Sequence, residues 1–113
     1  MQDNLACYVK ICISKSGGVH DSFGPGTASL LRGIRDMGSL NRATKAMEMS
    51  YSKAWRILNT AEEQLGFLLV DRNGANGSAL TEKGERFLLL YERMQQSTNL
   101  ITNNLLESSG LFD

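Results

Sequence analysis

The sequence predicts a mainly α-helical fold with a small amount of β structure, and three features indicate it. Four stretches repeat apolar residues at helical spacing, and each follows a residue type that starts helices or breaks the chain. Two short apolar runs enclose a loop rich in Gly and Asn, as in a β-hairpin. A β-branched segment near the N-terminus favours a further strand. The length of 113 residues and the hydrophobic fraction of 42% suit one globular domain.

The N-terminal residues predict a β-hairpin. Apolar and polar side chains alternate over residues 6–14, as in a strand, and a turn at 15–18 followed by a short strand at 19–21 would close the hairpin. Cys7 and Cys12 are an odd number of residues apart and fall on opposite faces of the strand, so we expect no disulfide between them. With a single histidine in the chain, we expect no metal site.

The first and second predicted helices are short and are separated by a glycine. Thr27 is the expected N-cap of the first helix, which runs to about Met37. Gly38 suits the position after its C-terminus, and Ser39 then caps a second helix that ends near Met47. The positions expected to face the core are Leu30, Leu31, Ile34, Met37, Leu40, Ala43, Ala46 and Met47.

The third helix follows a tight turn at residues 48–49. Ser50 is its expected cap, and it covers residues 51–65 before Gly66 ends it. Its predicted inward row is Ala54, Leu58, Ala61 and Leu65, with Trp55 and Ile57 beside it. Two helices joined by such a turn are typical of a helix-turn-helix.

A strand, a turn-forming loop and a return strand come next, at residues 67–71, 73–77 and 78–80. A β-hairpin directly after a helix-turn-helix is a wing. Thr81 is then the expected cap of a long fourth helix over residues 82–107. Together these elements predict a winged helix-turn-helix with an N-terminal β-hairpin and a long C-terminal helix.

The fourth helix carries a heptad stripe that needs a cover. Its members are Phe87, Tyr91, Met94, Thr98, Ile101 and Leu105. A partner helix is the expected cover, with Leu30 and Ile34 of the first helix contributing, so we expect a homodimer. The alternative is that the stripe folds back on its own domain. The expected division is a winged domain over residues 1–81 and a dimerisation helix with its tail over residues 82–113.

The charges sum to zero over the chain but are unevenly distributed. Residues 32–59 contain six basic and two acidic residues, whereas residues 60–113 contain four basic and eight acidic residues. The basic excess lies on the predicted helix-turn-helix, as expected of a surface that binds nucleic acid. Ordinary variation between short segments is the alternative.

The exposed face of the third helix is the candidate reader of DNA. In the major groove Arg and Lys bind guanine acceptors, Asn binds adenine, and Ser is permissive. The candidate residues on this helix are Ser50, Tyr51, Ser52, Lys53, Arg56 and Asn59. Further expected DNA contacts are Ser39, Asn41 and Arg42 at the second helix and Arg72, Asn73 and Asn76 on the wing. A solvated helix face, simple capping and an ordinary hairpin tip are the alternatives.

Nothing in the sequence points to catalysis. His20 lies in a turn-rich stretch, and the segment 24–26 is too short to cradle a phosphate. We expect neither an enzyme nor a cofactor. No apolar run approaches the roughly 20 residues that span a bilayer. The first residues do not form a secretory signal, so we expect a cytoplasmic protein.

Five short motifs carry a resemblance to a known family. They are Phe23-Gly24-Pro25-Gly26, Gly38-Ser39-Leu40, Ser50-Tyr51-Ser52-Lys53-Ala54-Trp55, Glu63-Gln64-Leu65-Gly66 and Leu80-Thr81-Glu82-Lys83-Gly84. Together they resemble the N-terminal DNA-binding domain of the molybdate-responsive regulators, the ModE family, and more distantly the winged helix of LysR-type regulators. The resemblance implies a dimeric winged helix-turn-helix transcription regulator. The wing loop has fewer glycines than the family usually shows, and we expect the oxyanion-binding domain of full-length members to be absent.

We therefore expect a stand-alone winged helix-turn-helix homodimer that binds double-stranded DNA and regulates transcription. We expect no small-molecule effector and no direct response to molybdate. The alternative function is a protein-interaction module that keeps the fold without binding DNA. Retention on heparin and salt-dependent binding to duplex DNA would separate the two.

Overall fold

The computed structural model describes residues 5–15, 23–72 and 78–112. Its elements are α1 Pro25–Met37, α2 Leu40–Ala46, α3 Tyr51–Leu65, β1 Val70–Asp71, β2 Ala79–Leu80 and α4 Glu82–Glu107. Strands β1 and β2 pair antiparallel. The predicted fold class is confirmed, since α2 and α3 form the helix-turn-helix, the β1–β2 hairpin forms the wing, and α4 is the long C-terminal helix.

The helices start and stop where the sequence provides the chemistry. Ser39, Ser50 and Thr81 each accept a hydrogen bond, at 2.9 to 3.2 Å, from the backbone N–H three residues on, so all three predicted caps are confirmed. Gly38 and Gly66 end α1 and α3 with φ angles of 69° and 83°, in the left-handed region that favours glycine.

Helix α1 begins earlier than expected. Pro25 lies in its first turn, where a missing N–H group costs nothing, and Gly24 is the N-cap, so the prediction of Thr27 as the cap is wrong. Thr27 is instead buried within the helix. Two residues expected to face inward, Met37 and Ala46, are exposed because they occupy the last positions of their short helices.

The wing strands are shorter than the sequence suggested. The carboxylate of Glu62 in α3 binds the backbone N–H groups of Leu69 and Val70, so residues 67–69 are held against α3 and do not join the sheet. The N–H of Thr81 donates to the carbonyl of Leu69 at 3.0 Å, and α4 starts immediately afterwards. The predicted loop at 73–77 lies outside the described residues.

Among the described residues, the first strand of the predicted N-terminal hairpin joins no sheet. Residues 7–13, which we call the strap, run alongside α4, and an isolated bridge joins Ile13 to Phe23 through two backbone hydrogen bonds of 2.8 Å. The second predicted strand, at 19–21, lies outside the described residues. Hydrophobic alternation thus indicated an extended segment, and its described residues lie on α4.

Polar side chains of α4 bind the backbone of the strap. Spaced by four residues on the helix, they contact every second residue of the strap: Tyr91 binds Ile11, Gln95 and Asn99 bind Val9, and Asn103 binds Cys7. Asn103 accepts from the Cys7 N–H at 2.7 Å and donates to the Cys7 carbonyl at 2.8 Å. The contacts pass from Ile11 to Cys7 on the strap as the helix passes from Tyr91 to Asn103, so the strap lies antiparallel on α4.

The hydrophobic core joins α1, α2, α3, the wing and the first half of α4. Phe23 is fully buried, and its ring packs edge to face on Phe87 and Tyr91, with centroids 4.9 and 5.1 Å away. Leu58 and Leu88 are also fully buried in this cluster. The first half of the α4 stripe therefore folds back on its own domain, which was the alternative.

This packing corrects part of the expected dimer seam. Leu30, Ile34 and Tyr91 were assigned to it, but each is at most 1% exposed within the monomer. Such side chains offer no surface to a partner, so their assignment to the seam is wrong. Phe87 is half-buried against Phe23 and Phe67. Ile101 and Leu105 remain 59% and 66% exposed on the second half of α4.

Candidate DNA interface

Helix α3 presents the predicted polar row to solvent. Its buried side is formed by Ala54, Leu58 and Ala61, as predicted. The opposite side exposes the side chains of Tyr51, Ser52, Lys53, Arg56 and Asn59. Neither Lys53 nor Arg56 forms an ion pair with any described residue, so both donors are available to a ligand.

The start of α2 lies beside this helix in the helix-turn-helix. The Ser39 hydroxyl accepts from the Arg42 N–H at 3.2 Å, and the Ser50 hydroxyl accepts from the Lys53 N–H at 3.2 Å. Both serines therefore perform the capping role that was the alternative to a DNA contact. Asn41 and Arg42 are exposed on the first turn of α2.

Tyr51 is exposed, and its ring packs against the neighbouring Trp55. Its side chain is 48% exposed, and its ring packs edge to face against Trp55 at a centroid distance of 6.1 Å. Trp55 is half-buried beside the core, as expected. Tyr51 can therefore turn its hydroxyl outward while its ring stays supported.

Arg72 was predicted to contact DNA, but in the structure its side chain binds residues of α3. Its Nη2 donates to Asn59 Oδ1 at 2.6 Å and to Glu62 Oε1 at 2.7 Å. The guanidinium carbon lies 4.3 Å from the centroid of the Trp55 ring. We call Trp55, Asn59, Glu62 and Arg72 the Arg72 clamp. The wing residues Asn73 and Asn76, which were predicted with Arg72, lie outside the described residues.

Glu62 takes part in the contacts of the candidate site, and the sequence analysis did not indicate it. It is only 7% exposed, and its Oε2 accepts from the N–H groups of Leu69 and Val70 at 2.7 and 3.3 Å. Buried carboxylates are retained when donors surround them, as here. One signal was available, because Glu62 follows Leu58 by four residues and so lies next to the buried row of α3.

The positive charge of the helix-turn-helix is smaller on its outer surface than the sequence indicated. Arg32 and Arg35 in α1 face α4, where they bind Glu92 at 2.8 and 3.2 Å. The hydrogen bond from Arg32, reinforced by the one from Arg35, lowers the pKa of the Glu92 carboxyl. Of the basic residues of segment 32–59, this leaves Arg42, Lys45, Lys53 and Arg56 exposed and without an ion pair to any described residue.

A metal site and a membrane-spanning helix each place their own requirements on the described residues. Among residues 5–15, 23–72 and 78–112, no group of three or more His, Cys, Asp or Glu side chains is arranged to hold a metal ion. None of the helices in these ranges has the length and hydropathy to cross a membrane.

A helix-turn-helix with an exposed donor row on its second helix, followed by a hairpin held to that helix, defines the class of winged helix-turn-helix domains. Within this class, the model of the bacterial regulatory helix-turn-helix proteins of the lysR family matches residues 29–85, half of the chain. The chain belongs to this family.

Curated relatives and solved structures support this assignment. The chain is 33% identical over 76 residues to the DNA-binding transcriptional dual regulator ModE of Escherichia coli K12, covering 64% of this chain and 29% of that protein. It is 36% identical over 77 residues to the transcriptional regulator ModE of Haemophilus influenzae, covering 65% and 30%. The chain thus spans about a third of the length of these relatives.

Two solved structures share the fold. The CbnR DNA-binding domain, from a crystal structure of its complex with DNA, has a TM-score of 0.62 at 20% identity, covering 74% of this chain and 95% of that one. VV2_1132, a LysR family transcriptional regulator, has a TM-score of 0.63 at 20% identity, covering 81% and 31%. At this identity the likeness concerns the fold.

Proposed function

We propose that this chain binds double-stranded DNA in a sequence-specific manner and acts as a homodimeric transcription regulator, with α3 in the major groove. The observation that carries the proposal is the exposed row of donors on α3, which has no ion-pair partner in the described residues. In the part of the chain that is described, Lys53 and Arg56 are unpaired cations on the face opposite the buried row of Ala54, Leu58 and Ala61, and a face that only contacts solvent does not require them. The relatives support the proposal, since the ModE of Escherichia coli is a DNA-binding transcriptional regulator and the CbnR domain was solved in complex with DNA.

The residues divide by the chemistry that they offer to DNA. Lys53 and Arg56 project from the first turns of α3 and suit the O6 and N7 acceptors of guanine. Ser52 beside them is permissive. Arg42 on α2 and the Tyr51 hydroxyl suit phosphate oxygens, which position the protein without reading sequence.

We also propose that the second half of α4 forms the homodimer interface. Tyr91 is buried in its own domain and cannot contact a partner. Its neighbour Leu90 is 50% exposed, so we assign Leu90 to the interface in place of Tyr91. The corrected seam consists of Leu90, Met94, Ile101 and Leu105. Exposed leucine and isoleucine side chains on one face of a 26-residue helix favour a helical partner.

The test of DNA binding is the salt dependence of affinity for a mixed pool of short duplexes, measured by fluorescence anisotropy. Groove binding with phosphate contacts gives affinity that falls steeply with salt, and Arg56→Ala should weaken it. Arg93→Ala, which removes an equally exposed arginine from α4, is the matched control. Salt-independent binding, or an equal effect of both variants, contradicts the proposal and favours a protein partner on this face.

A further inference from the structure

The Arg72 clamp joins the wing to the recognition helix at one guanidinium group. Arg72 follows β1 directly, while Asn59 and Glu62 lie on α3. One nitrogen of Arg72 donates to both, at 2.6 and 2.7 Å, and the guanidinium stacks over Trp55. The side chain of Arg72 is 34% exposed, and Nη2 is the nitrogen that both bonds occupy.

The clamp also fixes which atom of Asn59 faces inward. A guanidinium group carries donors only, so the atom that Asn59 turns towards Arg72 is its carbonyl oxygen. The Nδ2 group therefore points away from the clamp on a side chain that is exposed. An asparagine that is free to rotate can offer either a donor or an acceptor, but this one offers a donor.

The Glu62 carboxylate, which also binds Arg72, is itself held in place. Glu62 Oε2 accepts from two backbone N–H groups of the wing while Oε1 accepts from Arg72. Glu62 is 7% exposed, and its bonds to Leu69 and Val70 are buried. The orientation of Asn59 is thus set by a network that reaches into the core.

We infer that Arg72 is a positioning residue, which holds the Asn59 amide so that α3 presents its Nδ2 donor to the DNA. This inference rests on the proposed function. Recognition of adenine by asparagine uses the amide oxygen and nitrogen together, one accepting from N6 and the other donating to N7. With the oxygen bound to Arg72, Asn59 suits a base that offers acceptors only. It therefore favours guanine, with O6 and N7, over adenine at the base pair it faces.

The test measures base preference in a panel of duplexes that differ at single positions, using the full chain. The proteins are the wild type, Asn59→Ala, Arg72→Lys and the double variant, with Arg93→Ala as the matched control. Wild type and control should prefer guanine over adenine at one position by about five- to tenfold, as for one good hydrogen bond to a base. Asn59→Ala and Arg72→Lys should each lose that preference, and the double variant should lose no more than either.

A direct role of Arg72 in binding phosphate gives a different result. Arg72→Lys keeps the charge and would then keep the base preference, and Arg72→Ala would weaken all duplexes alike and lower the salt slope by about one. Either outcome overturns the inference. Thermal melting of each variant establishes that the wing is still folded.

The side-chain amide signals of Asn59 in the free protein provide a second measurement, which needs no DNA. If Arg72 holds the amide, the two Nδ2 proton signals should shift in Arg72→Lys and stay unchanged in Arg93→Ala. Signals that do not respond to Arg72→Lys overturn the clamp. If the amide responds but the wild type binds no duplex, the proposed function fails and the base preference with it, while the clamp stands as a structural contact.

Discussion

Gly84→Ala tests how closely α4 must approach the wing. Gly84 is buried in the first turn of α4, and a Cβ at this position would overlap the carbonyl oxygen of Leu69 and lie 3.0 Å from the Thr81 hydroxyl oxygen. To reach an ordinary C···O distance, the helix or the strand must move by roughly 1 Å. The Thr81 N–H bond to Leu69, at 3.0 Å, lies at the point of movement.

The expected magnitude follows from three terms. Overpacking costs about 1–3 kcal/mol, a weakened hydrogen bond about 1 kcal/mol, and the better helix propensity of alanine returns about 1 kcal/mol. Gly84→Ala should therefore destabilise the fold by about 1–3 kcal/mol.

The assay is urea unfolding followed by far-UV circular dichroism, with Gly26→Ala as the matched control. Gly26 also lies in the first turn of a helix, but a Cβ there meets no atom within 4 Å. The control should be neutral or slightly stabilised. Equal effects of the two substitutions would refute the close approach of α4 to Leu69.

Three further predictions address the other contacts. Ile101→Asp places an unpaired charge in the proposed seam and should give folded monomers in sedimentation experiments; a wild type that is monomeric at micromolar concentration, or a variant that stays dimeric, contradicts the seam. Arg42→Ala should weaken binding to all duplexes alike and lower the salt slope by about one, whereas a change confined to one base pair contradicts a phosphate role. Because Arg32 and Arg35 lower the pKa of Glu92 in the folded state, the stability it contributes is present above the unfolded carboxyl pKa and lost as pH falls through the folded value. Glu92→Gln should thus reduce stability at pH 7 by at most about 1 kcal/mol and flatten its loss below roughly pH 4.5, and an unchanged acid limb contradicts this ion pair.

The sequence predicted the helices of this fold well because their signals are local. A cap residue acts on an N–H group three residues away, so Ser39, Ser50 and Thr81 could be identified without knowing the tertiary structure. The limit of α3 at Gly66 depends equally on neighbouring residues. The one missed start, at Pro25, came from treating a proline as a chain break where it suits the first turn of a helix.

The contacts between distant segments could not be predicted in the same way. Alternating side chains in the strap favour an extended segment, but they do not say whether its backbone pairs with a strand or with side chains such as Asn103. Likewise, the α4 stripe did not reveal that Tyr91 would pack on Phe23 while Ile101 stays exposed.

The candidate site also contains residues with local signals and residues whose roles depend on contacts between distant segments. The exposed row of α3 follows from helical periodicity, and it was predicted residue by residue. The role of Arg72 depends on Asn59 and Glu62, which are 13 and 10 residues away in sequence, and only the fold brings them together. Charge counting had the same weakness, since it could not tell that Arg32 and Arg35 face Glu92.

Selection of bound sites from a pool of random duplexes tests the central claim most directly. A homodimer that reads DNA with α3 should enrich an inverted repeat whose half-sites are about one helical turn, 10 to 10.5 base pairs, or a multiple of it apart. Arg56→Ala should select the same repeat with one position relaxed in each half-site. Failure of the wild type to enrich any sequence over the starting pool would contradict the account.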